Sequence, residues 1–256
     1  TTLVMTAALG VNEDEIGEVV RAALDTPYVG GVCIQPAFGS GRSPGIDPVR
    51  RLTHTGVLAR LGPQTGGQVT WKDLIALPCS HPHCASVGYL VRTDSGRWRS
   101  LVGLVGHRRL AANLDLVSNR IVDPQISEDL RDMVRDSLRG LHTSRASLAD
   151  GGVRRLFATV GYALDLGVGA LVRHAGEAAD DQEALRTLLG TRVKRLQVKP
   201  FMDVNTLIEE RLLQCCIHVG AVADGRHQAV PFCAVQAWPA LAGMKLGHGA
   251  AGNRTG

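Results

Sequence analysis

Six cysteines stand at positions 33, 79, 84, 215, 216 and 233 of the 256-residue chain, and five of them fall into two tight groups. The first group reads Leu77-Pro78-Cys79-Ser80-His81-Pro82-His83-Cys84, two thiols with a pair of histidines between them. The second reads Gln214-Cys215-Cys216-Ile217-His218 and is followed, after a turn signal at Asp224-Gly225, by Pro231-Phe232-Cys233. Two thiols on a short loop can face a common centre, and two more from a distant segment can close a four-thiolate shell. That is the ligand set of a cubane iron–sulfur cluster. Zinc takes the same donors in a tetrahedral cage, because it accepts both Cys and His. The spacing alone does not choose between them. Adjacent cysteines at a helix end point in directions about 100° apart, so one of the two reaches a given metal. Cys79, Cys84, Cys216 and Cys233 form the expected ligand set, with Cys215 as a fifth thiol available to a second site. His81, His83 and His218 are expected to hydrogen-bond to sulfur rather than bind the metal. Cys33 lies inside an apolar run and reads as packing.

The elements that must position these groups follow from periodicity. The run Leu3 to Leu9 reads as a strand. A helix opens at Glu13-Asp14-Glu15, an acidic first turn that suits the positive end of the helix dipole. Ile16, Val19, Val20, Ala23 and Leu24 give that helix one apolar stripe. Gly31-Val32-Cys33-Ile34-Gln35-Pro36 is apolar almost to its end, as a parallel strand covered on both faces requires. This is a βαβ unit. Its carboxyl edge carries Gln35-Pro36 and a Gly-rich loop at 39–45, where α/β proteins seat their ligands. Arg42 in that loop is a candidate for gripping a phosphate.

Beyond Ile46 the chain is richer in Gly and Pro. A short helix is expected near Trp71 to Leu77, and a hairpin of Val87 to Thr93 with Trp98 to Val105 about the turn Asp94-Ser95-Gly96. Residues 107–190 read as mainly helical. A strand from Arg195 to Val204 and a helix from Asn205 to Gln214 lead into the second cysteine group. The expected domains are 1–45, holding the βαβ elements, 46–242, holding the cysteine groups, and a disordered tail at 243–256.

Composition excludes several classes. Apolar residues make up 45% of the chain, enough for a sizeable core. The net charge of +4 arises from scattered Arg and Lys with no block of like charge, so no nucleic-acid partner is expected. No stretch reaches the roughly 20 apolar residues needed to span a bilayer. Thr1 is followed at once by a strand-like run with no export signal, so the chain reads as truncated at its start. Clustered cysteines at a low overall fraction point to a reducing, cytoplasmic compartment rather than a disulfide framework.

Several separated strings occur here in one order: Gly10-Val11-Asn12-Glu13-Asp14-Glu15-Ile16-Gly17, Gln35-Pro36 with Gly41-Arg42, Cys79-Ser80-His81-Pro82 with Cys84, Phe201-Met202-Asp203, Cys215-Cys216-Ile217-His218, and Pro231-Phe232-Cys233-Ala234. In this order they resemble the radical S-adenosylmethionine (SAM) proteins similar to tetraether lipid synthase. The resemblance touches the beginning, middle and end of the chain and leaves residues 107–190 without a motif.

The resemblance implies an α/β fold: the C-terminal part of a partial (β/α) barrel that binds SAM, followed by a mixed α+β region around an auxiliary [4Fe-4S] cluster. It places Asn12, Gln35 and Pro36 beside SAM. For Asn12 the alternative is a helix cap, and for Gln35 a polar strand end. Asp203 is either an acid near the reaction centre or a cap for the following helix. The complete enzyme would cleave SAM at a catalytic [4Fe-4S] cluster, take an electron from a cellular donor, and abstract hydrogen from an unactivated carbon. The resemblance to the tetraether lipid synthase-like proteins implies coupling of lipid chains, a substrate compatible with peripheral membrane contact. The Cys-x3-Cys-x2-Cys loop that holds the catalytic cluster in this family is absent from these 256 residues, which implies that this segment is inactive alone. The alternatives are an iron–sulfur electron-transfer module and a zinc-stabilised binding protein.

Overall fold

The computed structural model describes residues 1–39, 46–77, 80–105, 107, 181–223 and 226–237. Cys79, the loop with Arg42, nearly all of the expected helical stretch at 107–190, the turn at Asp224-Gly225 and the tail lie outside the described residues.

The protein is α/β, and the first βαβ unit forms as its sequence pattern predicts. Strand β1 (Thr2–Ala7) leads through a 3-10 turn at Glu13–Glu15 into helix α1 (Ile16–Asp25) and then strand β2 (Gly31–Pro36). β1 and β2 pair in parallel from Thr2 opposite Gly31 to Ala7 opposite Pro36. The predicted stripe is the buried one: Ile16, Val20, Ala23 and Leu24 are all shut off from solvent.

Helix α2 (His54–Gln64) packs beside α1 on the same face of the sheet. Its start is set by Thr53, whose side chain accepts from the Gly56 N–H at 3.0 Å as an N-cap. The two helices approach closely at Gly17. A Cβ built there would fall 2.3 Å from the Gln64 carbonyl oxygen, a distance no side chain tolerates. The Gln64 amide uses that proximity to join the helices, accepting from the Gly17 N–H at 2.8 Å and donating to the Glu13 carbonyl at 2.8 Å. Val57 and Leu61 of α2 complete a core with Val32, Ile34, Leu196 and Val198 of the sheet.

After a 3-10 turn at Trp71–Asp73 come three more strands, β3 (Ile75–Ala76), β4 (Ser86–Arg92) and β5 (Trp98–Ser100). β4 pairs with β3 and β5 in antiparallel register. The expected strand from Trp98 to Val105 stops at Ser100, because the chain turns there into helix α3 (Leu101–Val105). The Ser100 hydroxyl accepts from the Gly103 N–H at 3.0 Å and starts the helix. Helix α4 (Gln182–Arg192) then delivers strand β6 (Val193–Val198) between β2 and β4. β6 is parallel to β2 and antiparallel to β4, which makes the sheet mixed, in the order β1-β2-β6-β4-β3 with β5 beside β4. Helix α5 (Glu209–Leu213), the hairpin β7 (His218–Ala223) with β8 (Arg226–Pro231), and helix α6 (Phe232–Ala237) complete the described elements. Among the described residues, no helix is long and apolar enough to cross a membrane.

β6 carries a buried cation. Lys194 is 2% exposed, and its Nζ donates to the carbonyls of Thr26 at 2.8 Å, Val29 at 2.6 Å and Gly190 at 3.2 Å. It ties the ends of α1 and α4 to the sheet, where the partial negative charge of helix carboxyl ends favours a cation. Burial first, and then the charge of Arg92, hold its pKa below the usual lysine value. Lys194→Met is expected to cost about 2–4 kcal/mol, because the carbonyls of Thr26 and Val29 lose a charged donor inside the fold. Urea unfolding checks this, and an unchanged midpoint would show the clamp to be dispensable.

Candidate functional site

The carboxyl ends of β2 and β6 open onto a cavity of about 310 Å³. Pro36 at the end of β2, Pro200 and Phe201 just past β6, and Thr53, His54 and Thr55 at the start of α2 contribute to its wall. In an α/β sheet this edge is where ligands sit.

The loops around the cavity are held by one buried ion pair. Asp203 is 1% exposed, and its Oδ2 accepts from Arg51 Nη1 at 2.8 Å and from the Gly39 N–H at 2.9 Å. Its Oδ1 accepts from the Thr206 hydroxyl at 2.9 Å and the Asn205 N–H at 3.1 Å. Arg51 also donates to the Ala37 carbonyl at 3.1 Å. Burial alone would raise the Asp203 pKa, but the Gly39 N–H, Arg51 and Thr206 outweigh it and hold the carboxyl below its usual value. Of the two roles the sequence suggests for Asp203, a proton donor near neutral pH does not fit a carboxylate held ionised. It anchors the loop after β2 to the turn after β6.

The sequence-derived SAM contacts divide. Pro36 is buried and lines the cavity. Gln35 follows Cys33 at strand spacing, on the face opposite Val32, Ile34 and Pro36, and its Nε2 lies 3.7 Å from Cys33 Sγ. Asn12 makes no side-chain bond to the turn it precedes. Its amide folds back on the end of β1, with Oδ1 accepting from the Ala8 N–H at 2.8 Å and Nδ2 donating to the Thr6 carbonyl at 3.0 Å. The helix cap expected of Asn12 is therefore replaced by a brace on the strand end.

Cys84 and Cys215 lie near enough to Cys233 for their charges to bear on it. Cys233, buried in the first turn of α6, has its pKa raised chiefly by burial, and also by the nearby Cys215 and Cys84. The Met202 N–H and the charge of Arg211 act in the opposite direction. The Met202 N–H points at Cys233 Sγ at 3.5 Å, and Arg211 Nε points at Cys84 Sγ at 3.4 Å. Arg211 is itself buried, with Nη2 on the Pro200 carbonyl at 2.9 Å, and it also lines the cavity. Of the adjacent pair, Cys215 is the one whose charge registers at Cys233, and its Sγ donates to the Ile217 carbonyl at 3.0 Å. Cys216 is exposed. Of the three histidines, His83 reaches the cavity wall, and His81 accepts from the His83 N–H through Nδ1 at 3.2 Å. His218 begins β7 at the surface.

Among the described residues, no three His, Cys, Asp or Glu side chains close into a metal-binding group. The donor chemistry nevertheless fits a thiolate-bound metal. Cys233 and Cys84 each receive an N–H group, one from backbone and one from a guanidinium, and such bonds act to stabilise a thiolate against the burial that raises the Cys233 pKa. Arg211 was not singled out by sequence reasoning, since a lone arginine in a short helix carries no signal. His54 was missed with the helix that it begins.

Fold and site together describe an α/β protein with a ligand-sized crevice at the carboxyl edge of its parallel strands and a group of thiols against that crevice. No protein-family model matches the sequence. The chain is similar to 7,8-dihydro-6-hydroxymethylpterin dimethyltransferase of Methanocaldococcus jannaschii, at 24% identity over 258 aligned positions that cover 90% of this chain. The same alignment covers 47% of that enzyme, so the chain spans about half the length of the curated relative it matches.

Proposed function

We propose that this chain forms part of a radical SAM enzyme, with Cys84, Cys215 and Cys233, together with Cys79, as ligands of an auxiliary iron–sulfur cluster. The observation that carries the reading is that Cys84 and Cys215 both bear on the buried Cys233, and that Arg211, which points at Cys84 Sγ, also lines the cavity at the carboxyl edge of the sheet. The similarity to an enzyme named as a dimethyltransferase supports it, because SAM chemistry and one-carbon transfer commonly go together. In the complete protein, SAM and its catalytic cluster supply radical hydrogen abstraction from an unactivated carbon, while the fold provides position and exclusion of water. Asn12, Gln35 and Pro36 are the proposed SAM neighbours, with Pro36 the one on the cavity wall. The relative's name favours alkylation of a reduced pterin over the coupling of lipid chains as the outcome.

The test is anaerobic purification with and without reconstitution, followed by iron, sulfide and zinc analysis and an absorption spectrum. A brown protein with about four irons and four sulfides per chain is the expected result. A colourless chain holding zinc would replace this reading with that of a zinc-stabilised binding protein.

A further inference from the structure

The cavity has a chemical bias independent of the thiols. Two arginines, Arg51 and Arg211, contribute to its wall, and among the described residues no carboxylate does. Asp203, just behind Arg51, is already saturated by four donors. The first residues of α2 also face the cavity, and an 11-residue helix presents roughly half a positive charge at that end.

A second observation falls at the same place. His54 Nε2 is closed off from solvent and has no hydrogen-bond partner among the described residues. A buried polar atom left this way costs about 1–3 kcal/mol, and folded proteins keep few of them. Burial chiefly, then the positive charges of Arg211 and His83, hold the His54 pKa below its usual value. The ring is therefore neutral near pH 7, with one N–H to offer. With the proton on Nε2, an anion placed there takes that N–H and is favoured by the same positive charges.

We propose that the cavity binds the carboxylate or phosphate of a small molecule, with His54 Nε2 donating to the anion and Arg211 and the first turn of α2 supplying positive field. Leu52, Phe201 and Ile208 receive the uncharged body of that molecule. The volume of about 310 Å³ lies at the small end of the range for small-molecule pockets. This assignment rests on reading the cavity as a ligand site and does not require the metal.

Calorimetric titration of the full chain with phenyl phosphate, phenylacetate and benzyl alcohol tests it. The two anions are expected to bind, their order identifying the preferred head group, and the alcohol to bind at least about tenfold more weakly. His54→Ala should weaken anion binding roughly tenfold, and His54→Gln, which keeps a donor, should recover much of the loss. Thr55 is exposed, so Thr55→Glu keeps the fold intact while placing a negative charge at the cavity, and it should also weaken the anions. Equal binding of the alcohol, unchanged affinity in His54→Ala and Thr55→Glu alike, or no binding by any probe would overturn the assignment. Iron is measured on the same samples, so a chain without iron that still binds phenyl phosphate removes the cluster proposal and leaves this one standing.

Discussion

Changing Cys233 to Ser is expected to remove most of the iron from the anaerobically reconstituted protein, from about four per chain to under one. Cys233 is buried, both Cys84 and Cys215 bear on it, and the Met202 N–H points at its sulfur. A hydroxyl there is a hard, protonated oxygen that replaces a soft thiolate. Cys215→Ser should lose iron to a similar extent. Full iron in Cys233→Ser, measured alongside the absorption spectrum, would end the ligand assignment.

The second large effect concerns stability. Arg51→Met should lower the unfolding free energy by about 3–5 kcal/mol, because it leaves the Asp203 carboxylate buried and unpaired. For a chain of this size that corresponds to a fall in Tm on the order of 10 °C. The double change Arg51→Met with Asp203→Asn should recover part of the loss, since the buried charge is then gone. The pH dependence follows from the same pair. The folded carboxyl is held below its usual value, so its contribution is complete above the ordinary carboxylate range near about pH 4. That contribution disappears as the pH falls through the lower, folded-state value. Asp203→Asn should accordingly flatten the acid limb of a stability-against-pH curve, and an unaltered limb would assign acid unfolding to other groups.

The βαβ unit was legible because burial dictates a period: Ile16, Val20, Ala23 and Leu24 repeat at helical spacing, and β2 is apolar on both faces. Helix α2 was not, because Gly56, Gly62 and Pro63 mask its pattern, although Thr53 was the signal that could have located its start. The strand expected from Trp98 ran too long because the Ser100 hydroxyl starts a helix where hydropathy alone continues the strand. At the site, the sequence identified the cysteines as a type, with Cys216 in the expected ligand set and Cys215 as a fifth thiol. Which of two adjacent side chains serves a given metal depends on the turn after α5, which no spacing rule fixes. Arg211 and His54 gain their interest only from what tertiary structure places against them.

Arg211 touches both halves of the site: one edge of its guanidinium reaches Cys84 Sγ and the Pro200 carbonyl, and the side chain forms part of the cavity wall. A single cation shared in this way makes the two sites thermodynamically reciprocal. An anion in the cavity that draws on the guanidinium weakens its hold on the sulfur, and by linkage whatever occupies the thiols changes the affinity for the anion by the same factor.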